Sequence, residues 1–381
     1  PVFPVNPEFW ESLSHKFVLF EEETMKERIL FVPALLLAVL FTAVSCGGGK
    51  NQATETAPTD AAASVSAGAS TLQTIKDRGY IVAGVNATNQ GFAFLESDGS
   101  YNGFEIDLAK ALSVAVFGSP DKLEFRPLTS AERFVALQSG EIDVLIRTAT
   151  INITRDTQLG LDFTTPYFYD GQTFIVRADA GVNRLEDLAG ASIAVITGST
   201  TETNLAGVMA SRKINYQPVT YKDFEEVKNA LVSGRVDAIS ADKSAAVVFL
   251  EQYGSGFKGL EETISKEPLG MAVRHGDSNW KDIVQWTLFA LFFGDEHNIT
   301  SANIDQIKES TTSPEIRNFL GLSLEHGTML GLSNDWAYQV IKQAGNYGEI
   351  FDRTLGIPMH VTRGFNKPWS QGGLFYANPF N

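Results

Sequence analysis

The chain has 381 residues, is 44% hydrophobic and 20% charged, and carries a formal net charge of −15 with a pI near 4.8. That length allows one or two domains, and so acidic a surface repels phosphate backbones, which argues against a nucleic-acid partner. The single cysteine, Cys46, excludes an intrachain disulfide, a CxxC motif and a cysteine-based zinc site.

Residues 1–24 read as an upstream extension, because the pattern of a secretory signal begins at Met25. Lys26 and Arg28 form a basic start, and Ile29 to Val44 is an apolar run of 16 residues. The run is short for a spanning helix and ends in small residues, as a cleaved signal does. "TAVSC" resembles a bacterial lipobox closing on Cys46, with Ala43 in place of the usual leucine. Residues 25–45 are then a lipoprotein signal and Cys46 the lipidation site; a plain signal peptide or a short anchor is the simpler alternative. Two acyl chains on Cys46 would give the double hold that stable anchoring needs. Residues 46–70 form a flexible Gly/Ser/Ala/Thr tether, with Val65 its sole large apolar residue.

From Thr71 onward, short apolar runs alternate with helical patterns. Residues 80–85 (YIVAGV) predict a buried strand, 103–118 a helix stopped by Gly118, and 122–128 a second strand. Thr129 and Glu132 predict a capping box, with Phe134 and Leu137 facing inward and Gly140 ending the helix before the strand 142–146. A second series follows: strand 191–199, helix 200–213, strand 214–221, a box at Asp223 and Glu226, a stop at Gly234, and strand 236–240. The β-α-β order predicts α/β lobes with mostly parallel sheets and helices on both faces.

The two series share a repeat. Ala136, Leu137, Ser139, Gly140 and Asp143 recur 94 residues later as Ala230, Leu231, Ser233, Gly234 and Asp237. Two alike lobes enclose a cleft, and ligands of open α/β sheets bind beyond the carboxyl ends of strands, so the stretch after each copy is the place to look. After the first copy come Arg147, Thr148, Thr150, Thr154 and Arg155, hydroxyls and guanidiniums suited to a carboxylate. After the second comes Asp242, which suits an ammonium group or simply caps the next helix. Gly198, Ser199, Thr200 and Thr201 open a helix, where N–H groups and hydroxyls attract anions or cap the turn.

Together "GFEIDLAKAL", "LQSGEIDVLI", the Thr148–Thr150–Arg155 pattern, "LDFTTPYFYDG", "GSTTE" and "GRVDAISAD" resemble the amino-acid-binding proteins of ABC importers, solute-binding family 3. The long tail "MLGLSNDWAYQVIKQAGNYGEIFDRTLG" resembles the general L-amino-acid-binding branch. The resemblance implies a two-lobed, type II periplasmic-binding-protein-like fold. Lobe 1 would take residues 71–175 and 272–381, lobe 2 residues 176–271, with crossing strands near 171–176 and 267–273. It implies that Arg155 binds the ligand α-carboxylate, helped by Thr148, Thr150 and Thr200, with Ser199 beside them, and that Asp242 holds the α-ammonium. An aromatic usually stands near the first loop, so either Asn89 or Phe92 takes that place. Arg147 would touch the ligand side chain or form an ion pair with an acidic neighbour.

The resemblance further implies a monomer that takes L-amino acids, needs no cofactor, is held at the cell envelope by its lipid and serves a transporter permease. An enzyme on the same fold and a sensory lipoprotein are the alternatives. The five histidines are scattered, and neither HExxH nor GxSxG occurs. "GSGFKG" (254–259) matches GxGxxG but follows a helix, so it predicts a helix-ending loop rather than a dinucleotide site.

Overall fold

The computed structural model describes residues 70–381, so the expectations for residues 1–24, the signal segment, Cys46 and all of the tether but Ser70 lie outside the described residues. The first series comprises α1 (Thr71–Arg78), β1 (Ile81–Val85), β2 (Thr88–Asn89), β3 (Ala93–Leu95), β4 (Tyr101–Asn102), α2 (Phe104–Phe117), β5 (Leu123–Pro127), α3 (Arg133–Ser139), β6 (Val144–Leu145), α4 (Ile153–Gln158) and β7 (Leu161–Arg177). The second comprises β8 (Ser192–Ile196), α5 (Thr200–Ser211), β9 (Gln217–Tyr221), α6 (Phe224–Val232), β10 (Ala238–Asp242), α7 (Lys243–Tyr253), β11 (Phe257–Gly259) and β12 (Ser265–Arg274). The 19-residue α8 (Ser278–Glu296) and shorter helices complete the chain, and α8 is buried on most of its faces.

The main sheet runs β5-β1-β6-β12-β7-β10-β8-β9. β1 lies parallel to β5 and β6, and β8 parallel to β9 and β10. Between these halves β7 and β12 run antiparallel to each other and pass from one lobe to the other. The two-lobed α/β architecture is therefore present. The expected lobe boundaries differ in detail. Phe174 and Ile175, assigned to lobe 1, pack in the cores of lobe 2, where β7 has already exchanged β12 for β10. Leu269 and Met271, assigned to lobe 2, pack in the core of lobe 1.

The repeat has the same frame in both lobes. α3 and α6 are each followed by a glycine with positive φ, 81° at Gly140 and 73° at Gly234, a conformation glycine adopts without strain. Asp143 then accepts from the Val82 backbone N–H at 2.7 Å, and Asp237 from that of Ser192 at 2.8 Å. Each aspartate thus ties the strand it opens to the start of the neighbouring parallel strand.

Three local expectations change. At Thr129–Glu132 only half of a capping box forms: Glu132 accepts from the Thr129 N–H and hydroxyl, and the helix starts at Arg133. The inward face of α3 is consequently Arg133, Ala136 and Leu137, while Phe134 is only half-buried. At the second box Asp223 caps the Glu226 N–H at 3.0 Å, but Glu226 reaches back to Lys222 rather than to the cap. "GSGFKG" is not wholly a loop, because β11 pairs with β7.

Candidate functional site

The carboxyl ends of β6 and β10 and the helix starts of α5 and α7 converge on a cavity of about 570 Å³, its mouth included. Lobe 1 contributes Asn86, Asn89, Ser130, Arg133, Arg147 and Thr148 to its wall, and lobe 2 contributes Ser199, Thr200, Phe224, Ser240 and Asp242 among others. A direct contact crosses between the lobes, where the Thr150 and Thr200 hydroxyl oxygens lie 3.0 Å apart. Both hydroxyls donate to Glu267 Oε2, at 2.5 Å and 3.2 Å. Glu267 belongs to the crossing strand β12, so the contact is seated on the hinge. Gly198 (φ 70°) lies so close that an added Cβ would fall 3.2 Å from Ala131 Cα.

The lobe 1 side is cationic. Arg147 is buried, donating from Nε to the Leu128 carbonyl at 2.6 Å and from Nη1 to Ser130 Oγ at 3.1 Å. Arg133 is 2% exposed, and its Nη1 reaches the same Ser130 Oγ at 3.5 Å. Arg155 donates from Nη1 to the Thr150 carbonyl at 2.7 Å. Its guanidinium carbon stands 5.0 Å from the centroid of the Phe134 ring, and that of Arg133 stands 4.8 Å from it, so one aromatic ring supports two cations. Burial lowers Arg147 and Arg155 to about 10, which leaves both charged at neutral pH. Burial lowers Arg133 further, with the charges of Arg147 and Arg155 adding to the effect. Thr148 turns the wall with φ 33°, a strained value for a β-branched residue costing on the order of 1–3 kcal/mol. It is held there by donation from its N–H to the Glu105 carboxyl. Burial raises Glu105 to about 7, against hydrogen bonds from Tyr167 and Thr148.

The opposite side is acidic. Asp242 ends β10 and precedes α7, yet its side chain makes no cap to that helix. It is left facing the cavity rather than satisfying the helix start, so the simple capping alternative fails. Asp170 on β7 lies in register with Glu267 on β12, and it accepts from the Gly171 N–H at 2.8 Å and from the Ser244 hydroxyl. Burial raises Asp170 to about 6 and Asp242 well above the ordinary carboxyl range, with the charges of Asp170 and Glu267 raising Asp242 further.

Of the residues singled out in the sequence, Arg147, Thr148, Ser199, Thr200 and Asp242 line the cavity. Thr150 and Arg155 lie just behind it, joined by the Arg155–Thr150 bond. Ser199 also caps α5, accepting from the Glu202 N–H at 3.1 Å. Phe92 is a correction. It is fully buried in the lobe 1 core, edge-on to Phe168 at 5.1 Å and to Phe104 at 6.1 Å, and Asn89 takes the place in the wall. The ion pair considered for Arg147 does not form among the described residues. The sequence reading overlooked Arg133 and Ser130. The available signal was spacing: Arg133, Ala136 and Leu137 fall at i, i+3 and i+4, which sets a charge on the inward face of α3.

Two lobes joined by crossing strands beneath a polar cleft define a type II periplasmic-binding-protein fold. Residues 81–298 match the family described as bacterial extracellular solute-binding proteins, family 3, and the chain belongs to that family. It is 44% identical over 318 residues to the glutamate/glutamine/aspartate/asparagine-binding protein BztA of Rhodobacter capsulatus, covering 82% of this chain and 94% of that protein. It is 45% identical over 319 residues to the general L-amino acid-binding periplasmic protein AapJ of Rhizobium johnstonii, covering 82% and 93%. A solved ABC transporter periplasmic binding protein from Brucella ovis with glutathione bound is similar with a TM-score of 0.79 and 43% identity, covering 82% of this chain and all of that one.

Proposed function

We propose that the protein is an extracytoplasmic solute-binding lipoprotein that captures L-amino acids between its lobes and delivers them to an ABC transporter permease. The observation that carries this reading is the polarity of the cleft: guanidiniums on lobe 1 and the carboxyl group of Asp242 on lobe 2 line one cavity. A zwitterion complements that arrangement. Arg155 takes the α-carboxylate, with Thr148, Thr150, Thr200 and Ser199 supplying hydroxyls or N–H groups around it. Asp242 takes the α-ammonium, and Arg147 touches the side chain. The names of the relatives BztA and AapJ support the amino-acid class.

Closure follows from pairing. The ligand has groups for both lobes, so only the closed arrangement satisfies all of them, and binding favours it. The crossing strands β7 and β12 are the hinge, and the Thr150–Thr200 contact is a closed-state latch. Micromolar affinity needs about 8 kcal/mol, which a ligand of about ten heavy atoms supplies within the limit of about 1.5 kcal/mol per atom. Cys46 carries the lipid and residues 47–70 lift the lobes from the membrane.

Calorimetry of the full chain against a panel of L-amino acids tests the proposal. Saturable heat with several of them is expected. Absence of heat with all of them removes it, as does turnover of any of them, which would favour the enzyme alternative.

A further inference from the structure

Glu267 is a buried carboxylate that the proposed binding mode does not use. It is 1% exposed, lies on the crossing strand β12, and forms no ion pair among the described residues. A carboxylate in that setting has to be satisfied by hydrogen bonds. Four donors supply them. Ser265 Oγ and Asn204 Nδ2 donate to Oε1 at 2.5 Å and 2.6 Å, and the Thr150 and Thr200 hydroxyls donate to Oε2. Asn204 and Thr200 belong to α5 of lobe 2 and Ser265 to β12 itself, so Thr150 is the one donor from lobe 1.

We propose that Glu267 is the positioning residue of closure: its carboxylate, carried by lobe 2, draws in the Thr150 hydroxyl of lobe 1, so that the chain itself holds part of the closed state and the ligand completes it. This deepens the amino-acid-binding reading and rests on it for the ligand-bound state. A hydroxyl has one proton to donate. With both threonine protons on Glu267, the 3.0 Å approach of Thr150 Oγ1 to Thr200 Oγ1 carries none of its own. Two oxygens that meet without a proton repel, so the carboxylate beside them is what makes this contact between the lobes attractive. The carboxylate is also fixed before it meets lobe 1. Asn204 donates from the same Nδ2 to Gln172 Oε1 at 3.1 Å. Gln172, fully buried on β7, donates in turn to the Thr201 carbonyl at 2.9 Å and to Ser240 Oγ at 2.8 Å. The first turns of α5 are thereby pinned to both crossing strands, through Glu267 on one and Gln172 on the other. The negative charge of Glu267 also reaches the proposed ligand site, where it favours the charged form of Arg155 against the effect of burial.

Glu267→Gln keeps the shape of the side chain and leaves one acceptor oxygen facing four donors. In the full chain, small-angle X-ray scattering is expected to give the ligand-free variant a larger radius of gyration than the ligand-free unaltered protein, and saturation with L-glutamate to bring the two together. Stopped-flow measurement with L-glutamate is expected to show dissociation about tenfold faster and association changed by less than about twofold, because loss of a buried charged contact acts on the dissociation rate. Thr150→Val, which removes only the lobe 1 donor, is expected to enlarge the ligand-free protein in the same way. A Glu267 that only stabilises the fold would lower the unfolding midpoint and leave the ligand-free radius and the dissociation rate unchanged; that result in either folded variant would overturn the proposal. If no amino acid binds, the amino-acid reading falls, and the ligand-free radii still decide the role of Glu267.

Discussion

The two copies of the helix-glycine-strand unit share their backbone frame and differ in the charge they deliver. Asp143 and Asp237 do the same work, each accepting from the first N–H groups of a neighbouring parallel strand. Their settings differ. Asp143 is buried and also ion-paired with Arg78, whereas Asp237 is exposed and bonded further only to the Ser192 hydroxyl. Beyond that frame the lobes diverge completely. The first leads into Thr148, Thr150 and Arg155 and presents Arg133 and Arg147; the second ends at Asp242. The shared frame is a scaffold, and in the proposed binding mode the different charge at each strand end makes two similar lobes complementary.

The contrast can be broken most severely at the ligand. Arg155→Ala is expected to remove binding of every L-amino acid, a loss of more than about a hundredfold by calorimetry, because the α-carboxylate is common to all of them. Asp242→Asn should weaken every ligand by about tenfold to a hundredfold, since the ammonium keeps a polar but uncharged partner. A variant effect confined to one amino acid would contradict either role.

Next comes the frame itself. Asp143→Asn leaves Arg78 without its partner and is expected to lower stability by about 3 kcal/mol in urea unfolding, while Asp237→Asn, exposed and neutral in its surroundings, should cost about 1 kcal/mol. Equal losses would mean that burial of the first aspartate is energetically irrelevant.

The smallest effect concerns pH. Asp170, at about 6, and Asp242 hold protons in the folded chain that the unfolded chain has released. Their contribution to stability therefore falls as pH rises from about 4 through their folded-state values. Affinity has the opposite sign, because an ammonium group needs Asp242 ionised. Lowering pH from 7 to about 5 should thus weaken ligand binding several-fold while the unfolding midpoint of the ligand-free protein gains from these groups, and Asp170→Asn should flatten that gain.

Much of this was legible in the sequence because it is written locally. Gly118, Gly140 and Gly234 stop their helices as their spacing predicts, and the order of strands and helices defines the lobes. The crossing strands were placed, though β7 runs to 17 residues because its "DFTTPYFYD" stretch stays paired with β12 across two register shifts, at Leu269/Gly270 and Gly270/Ala272. Long-range facts were harder to read. Phe92 is equally suited to a cleft or a core, and only the neighbouring Phe104 and Phe168 rings decide it. Arg133 directly follows what reads as a helix-capping sequence, and its burial depends on where α3 starts, three residues later than the Thr129 box predicts. That no ion pair reaches these arginines among the described residues is a property of the assembled cavity, which no single segment contains.

In the proposed binding mode one zwitterion is held from two sides, anionic end on lobe 1 and cationic end on lobe 2. A crystal structure of the full chain with L-glutamate tests it directly. The α-ammonium is expected within hydrogen-bond distance of Asp242 and the α-carboxylate on Arg155 with Thr200 beside it. A ligand bound in the reverse sense, or held by one lobe alone, would contradict it.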